Sequence, residues 1–304
     1  MIIAMKHLHP ADTDRASSSG HSGRKSPASL SLTVHLLIVL LLAGCATTNQ
    51  GYIDRLTRTS GFERLLVQGG EFEHVVWLHR PAQATRRLHI YLEGDGSPWI
   101  GHLWIASDPT PAKPLMLKLM KMDNTPSVYL GRPCYFGMAG QPSCNSRYWT
   151  YARYSESVVD SMQQALDRVI RQTDTAELIF MGHSGGGTLA MLLAERFPQT
   201  RAVVTLAGNL DTDRWTRWHG YLPLRESLNP AARTPLSADI YQLHLAGARD
   251  QVVPPALIEP VVARQPGAHL QIIPGFDHTC CWGEIWPDIL QTLNRQADTP
   301  RPET

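Results

Sequence analysis

The chain comprises 304 residues, of which 43% are hydrophobic and 18% are charged, and its formal net charge at pH 7 is +1. This balance is typical of a globular protein and gives no electrostatic argument for binding to nucleic acid. Once an N-terminal leader is set aside, about 260 residues remain, which is the size of one large α/β domain.

The leader is predicted to be an export signal and not part of the fold. An apolar run over residues 30–44 follows Arg24 and Lys25, and it is too short for a comfortable membrane span. The run ends at Leu42–Cys45, which resembles the bacterial lipobox, where the cysteine becomes the lipid-bearing N-terminus. An uncleaved membrane anchor is the alternative. Both interpretations place the rest of the chain outside the cytoplasm, at a membrane surface.

Domain boundaries follow from this leader. Residues 1–45 are predicted to be the signal, residues 46–65 a polar tether, residues 66–298 the folded domain and residues 299–304 a tail. Because Ala46 is not aspartate, the resemblance to Gram-negative lipoproteins favours the outer membrane of the cell envelope, facing the periplasm.

Apolar runs and helical repeats alternate along the remaining chain. The runs predict strands at 75–78, 88–92, 127–130, 178–181, 202–208, 240–246 and 269–275. Helical spacing predicts helices at 155–171, 189–197 and 255–264 and after Glu284. This alternation indicates an α/β fold with a mostly parallel central sheet and helices on both faces. Residues 209–238 break the pattern and are predicted to be a short cap or inserted loop.

One stretch carries a nucleophile motif. Gly182, Ser184 and Gly186 form a G-x-S-x-G sequence between the strand at 178–181 and the helical repeat that starts at 189. A serine lifted clear of a strand end needs a strained turn, and glycines on either side avoid clashes with the adjoining elements. A structural or phosphate-holding glycine turn is the alternative.

Two further residues with suitable chemistry follow later strands. Asp250 comes just after the strand at 240–246, and His278 comes just after the last strand. Serine is a poor nucleophile without an imidazole to accept its proton, and the imidazole needs a carboxylate to orient it. Asp277 is an eligible competitor for the acid, and Asp250 has the alternative of capping a turn.

With these residues in place, the chain resembles the α/β-hydrolase superfamily, and specifically its secreted bacterial lipoprotein-type hydrolases of unassigned substrate. The segments that carry the resemblance are YLEGDGSPW, GRPCYF, CNSRYWTYARYS, GHSGGG, GARDQVVP and FDHTCCW. The resemblance implies the α/β-hydrolase fold and an oxyanion hole formed by the backbone of Gly185 and Asp95, with Gly96 as an alternative donor. It implies no metal and no organic cofactor.

The cysteines are predicted to serve structure. Cys45 would carry the lipid, and four cysteines in an exported chain permit three disulfide connectivities. Cys134 and Cys144 bracket a short loop, which favours their pairing. Cys280 and Cys281 would then be a vicinal pair or two buried thiols, and beside His278 they make a poor zinc site.

The sequence thus predicts a membrane-tethered serine hydrolase with Ser184 as nucleophile, His278 as base and Asp250 as acid. Its substrate would be a small-molecule or lipid acyl ester, cleaved through an acyl-enzyme. An amidase or peptidase with the same triad is one alternative. A non-catalytic binding lipoprotein of the envelope is another.

Overall fold

The computed structural model of the protein describes residues 51–81, 85–101 and 103–297. The predicted signal, the lipobox and the tail at 299–304 lie outside these ranges. Within them, no helix combines the length and the apolar character needed to cross a bilayer.

Ten strands are present in the described residues. Eight form the main sheet and two form a separate hairpin: β1 (Glu63–Gly69), β2 (Phe72–His79), β3 (Arg87–Leu92), β4 (Trp99–Ile100), β5 (Trp104–Ile105), β6 (Ser127–Leu130), β7 (Glu177–His183), β8 (Thr200–Leu206), β9 (Tyr241–Gly247) and β10 (His269–Ile273). The seven strands predicted from sequence all occur, with ends shifted by at most a few residues, and β1 and the hairpin are additions.

Helices occupy most of the connections between these strands. They are α1 (residues 51–59), α2 (Leu115–Met120), α3 (Glu156–Ile170), α4 (Gly185–Ala194), α5 (Thr212–His219), α6 (Pro255–Val262) and α7 (Trp282–Ala297), with single 3₁₀ turns at Ser146–Trp149 and Pro230–Ala232. The helix predicted at 155–171 is α3, which has Ser155 at its N-cap position and Arg171 at its C-cap position.

The main sheet has the strand order β1-β2-β6-β3-β7-β8-β9-β10. Strand β2 runs antiparallel to its neighbours β1 and β6, and the other adjacent pairs are parallel. Strand β8 is buried at every residue, and β7 at every residue but its first, as expected when helices cover both faces of a parallel sheet. The predicted fold class is confirmed.

The carboxyl ends of β3, β7, β9 and β10 therefore point to one edge of the sheet. Loops that follow these strands carry Asp95, Ser184, Asp250 and His278, respectively. Parallel topology is thus what brings residues from four distant parts of the chain to one place.

The predicted tether is wrong for residues 51–65. Residues 51–59 form helix α1, and β1 already begins at Glu63. Ile53 is fully buried and Leu56 packs against the core. The polar composition of the segment hides this apolar pair, whose i, i+3 spacing places both side chains on one face of the helix.

Two insertions interrupt the alternation near the same sheet edge. Strands β4 and β5 form a hairpin whose base is closed by hydrogen bonds from Ala106 N–H to Pro98 O (3.0 Å) and from Ser97 N–H to Pro109 O (2.8 Å). The second insertion, predicted at 209–238, contains α5 and the 3₁₀ turn at Pro230–Ala232.

Candidate active site

Ser184 lies on a sharp turn between β7 and α4. Its φ of 54° is in the left-handed region, which is costly for a residue with a side chain. Side chains at the neighbouring glycines would block this turn: a Cβ at Gly182 would clash with the Gly186 carbonyl, and one at Gly186 with the Leu92 carbonyl. The glycines therefore let α4, β7 and β3 approach closely enough to present Ser184.

The structure brings Ser184, His278 and Asp250 together. His278 Nε2 lies 3.0 Å from Ser184 Oγ, and His278 Nδ1 lies 2.8 Å from Asp250 Oδ2. The Asp250 side chain is fully buried, whereas that of His278 is 15% exposed. The imidazole thus bridges a buried carboxylate and a hydroxyl, which is the geometry needed to move a proton from one side of the ring while the other side is fixed.

Asp250 and the competing Asp277 have different surroundings. Asp250 Oδ1 accepts hydrogen bonds from Val252 N–H and Val253 N–H, both at 2.8 Å, which leaves Oδ2 for His278. Asp277 Oδ1 instead accepts the N–H groups of the turn that follows it, from Thr279 at 2.9 Å and Cys280 at 2.7 Å. These backbone bonds lower the pKa of Asp277.

The backbone of His278 is held from two sides. Its carbonyl oxygen is 2.7 Å from His183 Nε2 and accepts a hydrogen bond from Trp282 Nε1 at 3.2 Å. Burial, with His278 nearby, lowers the pKa of His183 to about 4, so this ring is neutral at pH 7 and its Nε2–H donates to the carbonyl. His183, the residue before Ser184, therefore positions the loop that bears the His278 imidazole.

An ionic cluster surrounds Asp95 in the loop after β3. Its two carboxylate oxygens lie 2.8 Å from Arg132 Nη2 and 2.8 Å from Arg153 Nη1, and Tyr154 Oη–H donates to both at 2.7 Å. The Asp95 carbonyl accepts a hydrogen bond from Tyr135 Oη at 2.9 Å. Burial would raise the pKa of Asp95, but the two arginines outweigh it and hold the pKa at about 2.

This cluster fixes the loop over the start of α4. A Cβ added at Gly185 would clash with the Asp95 carboxylate and the Tyr154 hydroxyl. Gly185 is the first residue of α4, so its N–H has no partner within the helix. Glu93 lies two residues before Asp95 in the chain. Burial raises the pKa of its carboxyl group to about 7, although the carboxylate accepts hydrogen bonds from the N–H groups of Gly94 (3.1 Å) and Met116 (2.9 Å).

The sequence singled out the motifs of this cluster but not their association. Arg132 belongs to GRPCYF, while Arg153 and Tyr154 belong to CNSRYWTYARYS. All three converge on Asp95 of YLEGDGSPW. Arginine is usually a surface residue, so the sequence does not indicate that these arginines are buried. The only signal for the cluster was that its polar motifs lie between predicted strands.

The four cysteines of the domain are paired in the structure. Cys134 is joined to Cys144, whose Cα atoms are 5.6 Å apart, and Cys280 is joined to its neighbour Cys281. No cluster of three or more histidine, cysteine or acidic residues suited to a metal ion occurs in the ranges that the structure describes.

A cavity of about 1190 Å³ opens above Ser184 and His278. Many of its lining residues are apolar or aromatic, among them Trp99, Ile105, Tyr151, Trp215, Tyr221, Leu222 and Val252. Polar residues of the lining include Ser184, His278 and Lys113. Such a pocket accommodates an apolar group next to a reactive centre.

Comparison with solved structures agrees with this architecture. The chain is similar to an esterase from Pyrococcus furiosus (TM-score 0.57, 12% identity, 79% of this chain and 94% of the other). It is similar to proline iminopeptidase from Mycobacterium smegmatis (TM-score 0.58, 13% identity, 77% and 99%). A putative α/β hydrolase of unknown function from Agrobacterium tumefaciens also aligns (TM-score 0.53, 14% identity, 80% and 100%). The chain therefore has the α/β-hydrolase fold that the sequence predicts.

One sequence family matches part of the chain. The family model of Lipase (class 3) matches residues 121–206, which run from the end of α2 through the serine to the end of β8. A search of curated proteins finds no significant match. The partial match supports a hydrolase of lipase type, and the structural neighbours show the fold that such a hydrolase would have.

Proposed function

We propose that the protein is a serine hydrolase that cleaves an acyl ester, with Ser184 as nucleophile, His278 as general base and Asp250 as the orienting acid. The observation that carries this proposal is the imidazole of His278, which lies 3.0 Å from Ser184 Oγ and 2.8 Å from Asp250 Oδ2 at the base of an apolar cavity. An ester with an apolar acyl group is the substrate that suits both the reactive centre and the walls above it.

The reaction would proceed in two halves. Ser184 Oγ attacks the acyl carbon while His278 Nε2 accepts the hydroxyl proton, and the resulting tetrahedral oxyanion receives hydrogen bonds from the backbone N–H groups of Gly185 and Asp95. Collapse expels the alcohol, which takes the proton from His278 and leaves an acyl-enzyme. Water then attacks the acyl carbon, gives a proton to His278, and releases the acid as the serine hydroxyl is restored.

Labelling with a fluorophosphonate tests the nucleophile. The wild-type protein should form one covalent adduct and Ser184→Ala none. Ser146→Ala is the matched control, because Ser146 is another hydroxyl on the cavity wall and its removal should leave labelling intact. Adduct formation that persists in Ser184→Ala, or disappears in Ser146→Ala alone, contradicts the assignment.

A panel of p-nitrophenyl esters and anilides then defines the bond that is cleaved. Esters should be hydrolysed and rates should rise with acyl length until the chain fills the cavity. Anilide hydrolysis faster than ester hydrolysis would favour the amidase alternative. A folded sample that turns over neither would favour a binding protein.

We further propose that the mature chain is lipidated at Cys45 and held on the outer membrane, facing the periplasm. Support comes from the apolar run at 30–44 and the lipobox-like Leu42–Cys45. In a Gram-negative host, the protein should incorporate labelled palmitate and partition with membranes, and Cys45→Ser should abolish the label. An intact peptide from residues 1–50 in the mature protein would show that the signal is not cleaved.

A further inference from the structure

An exposed apolar surface surrounds the mouth of the cavity. It consists of the β4–β5 hairpin and residues 218–222, each of which contributes side chains to the cavity lining, and we call it the apolar rim. Leu103 and Trp104 at the hairpin are 80% and 72% exposed, and Leu222 is 87% exposed. Its other exposed members are Trp99, Ile100, Ile105, Trp218 and Tyr221.

Neighbouring side chains of this size are seldom left in water. Scattered apolar residues are ordinary on protein surfaces, but contiguous patches mark places where a partner or a membrane is bound. Tryptophan and tyrosine are also the residues enriched where proteins meet the interface of a bilayer, because one end of each ring is apolar and the other is polar. The composition of the rim therefore suits a lipid surface.

Two lysines of the cavity lining, Lys113 and Lys118, point to the same occupant. Lys113, Lys118 and Lys121 are exposed, and they are the lysines of residues 51–297. Two of them, Lys113 and Lys118, line the cavity mouth. None forms an ion pair with another residue in the part of the chain that the structure describes. Free ammonium groups next to an apolar patch complement the phosphates of anionic phospholipids.

The position of the predicted lipid anchor supplies an independent argument. Tyr52 in α1 lines the same cavity mouth. Cys45 precedes it by only seven residues, and seven residues span at most about 25 Å when fully extended. A lipid on Cys45 would therefore hold the membrane within a short distance of the rim.

We propose that the apolar rim is a membrane-docking surface that seats the cavity mouth on an anionic phospholipid bilayer, so that acyl substrate enters from that bilayer. The docking surface stands apart from catalysis, whereas the entry of an acyl substrate rests on the proposed function. Ile100, Leu103 and Trp104 would lie among the acyl chains near the headgroups, with the lysines at the level of the phosphates. The substrate class that follows is an acyl ester of a membrane lipid.

Fluorescence quenching tests the docking directly. The full chain is reconstituted into vesicles of phosphatidylethanolamine and phosphatidylglycerol that carry brominated acyl chains, which quench tryptophan on contact. Ile100→Glu with Leu103→Glu should reduce the quenched fraction severalfold while keeping Trp99 and Trp104 as reporters. Each glutamate opposes insertion by more than the loss of one apolar side chain.

The control has the same change of charge at two exposed apolar residues elsewhere. Leu66→Glu with Ile272→Glu places the substitutions on the edge strands β1 and β10, away from the cavity lining. It should be quenched like the wild-type protein. Circular dichroism checks that both double variants are folded. Equal quenching of the rim variant and the wild-type protein would overturn the proposal.

Two further arms separate this proposal from its alternatives. Rim variants should hydrolyse a water-soluble acetate ester at the wild-type rate but a vesicle-embedded ester more slowly. Ser184→Ala should dock normally although it hydrolyses no ester. Quenching of the wild-type protein without any ester hydrolysis would refute the proposed function and leave the docking surface standing. If instead the wild-type protein is unquenched and dimeric, and the rim variant is monomeric by ultracentrifugation, the rim binds a second copy and the proposal is wrong.

Discussion

Two histidine–aspartate pairs lie in this molecule, and they differ in almost everything except their geometry. His278 Nδ1 is 2.8 Å from Asp250 Oδ2, and His89 Nδ1 is 2.6 Å from Asp123 Oδ2. The first pair has Ser184 Oγ at its free ring nitrogen and an open cavity above. In the second pair, His89 is fully buried and its Nε2 has no partner in the described residues.

The difference teaches that a carboxylate beside an imidazole is not by itself a catalytic arrangement. Asp123 also accepts hydrogen bonds from Tyr91 Oη at 2.6 Å and Thr125 N–H at 2.8 Å, so it ties β3 to the turn before β6. Both side chains are buried, and neither residue lines the cavity above Ser184. A base needs its second nitrogen at a reactive atom and accessible to a ligand, which the end of β10 provides and the start of β3 does not.

The largest contrast should appear when each histidine is removed. If the proposed function is right, His278→Ala should lower kcat by about 10³-fold or more, because Ser184 would lose its proton acceptor and only the proposed oxyanion hole would remain. His89→Gln should leave kcat of the folded protein unchanged and lower its melting temperature. Ester hydrolysis normalised to folded protein, with thermal denaturation by circular dichroism, measures both. A loss of kcat in His89→Gln would remove the distinction between the pairs.

The next largest difference in kcat is expected between variants of the two aspartates that could orient His278. Asp250→Asn should lower kcat by about 10²-fold or more, since an amide can no longer hold the imidazole in the tautomer that accepts the serine proton. Asp277→Asn should retain nearly full kcat, because this carboxylate bonds to turn N–H groups. Steady-state kinetics of the two variants decides the matter. If Asp277→Asn is the more damaging while folded, the acid is misassigned.

A smaller loss of kcat should follow from loosening the ionic cluster around Asp95. Arg153→Lys keeps the charge near Asp95 but not the geometry of its contact, and a displaced loop should lower kcat by about tenfold with little change in KM. Arg147→Lys is the matched control, as Arg147 pairs with Glu226 at the surface. Equal kinetics in the two variants would show that the cluster serves stability alone.

The smallest catalytic effect and a clear pH signature should come from the second pair. Burial raises the pKa of Asp123, but His89 and Tyr91 outweigh it, so its folded-state pKa lies below the ordinary 3.8. The ionised Asp123 carboxylate therefore stabilises the fold fully at pH values above 3.8. This contribution is lost as the pH falls through the lowered pKa of the folded state.

Asp123→Asn should therefore lower the free energy of unfolding by about 1–3 kcal/mol at pH 7 and leave kcat unchanged. The difference from the wild-type protein should shrink in strongly acidic solution, where the wild-type carboxyl is protonated as well. Urea denaturation across this pH range measures it. A difference that stays constant would mean that Asp123 does not act through its charge.

Most of the fold could be predicted because its signals are local. Buried parallel strands read as apolar runs, and α3 shows the helical spacing of apolar residues from Val158 to Ile170. The turn at Ser184 is specified by its glycines. The strand β1 was missed because its apolar run is only three residues long, Leu65–Val67, and polar residues flank it on both sides. Leu66 in this run is half exposed.

The support of the candidate site could not be predicted because its parts are distant in the chain. Asp95 meets Arg153 across 58 residues, and His183 meets the His278 carbonyl across 95. Nothing in the local sequence of an arginine or histidine states which partner it will find. The positions of Ser184, Asp250 and His278 were accessible for another reason, since each follows a strand whose direction the fold class determines.

The closed base of the β4–β5 hairpin has a consequence for engineering. Hydrogen bonds from Ala106 N–H to Pro98 O and from Ser97 N–H to Pro109 O fasten the two ends of the segment to each other. Residues 99–105 can therefore be exchanged for hairpins of other lengths and compositions without altering how the chain enters and leaves. A library grafted between Pro98 and Ala106 would vary which surfaces and substrates the cavity meets, while the residues beneath it keep their register.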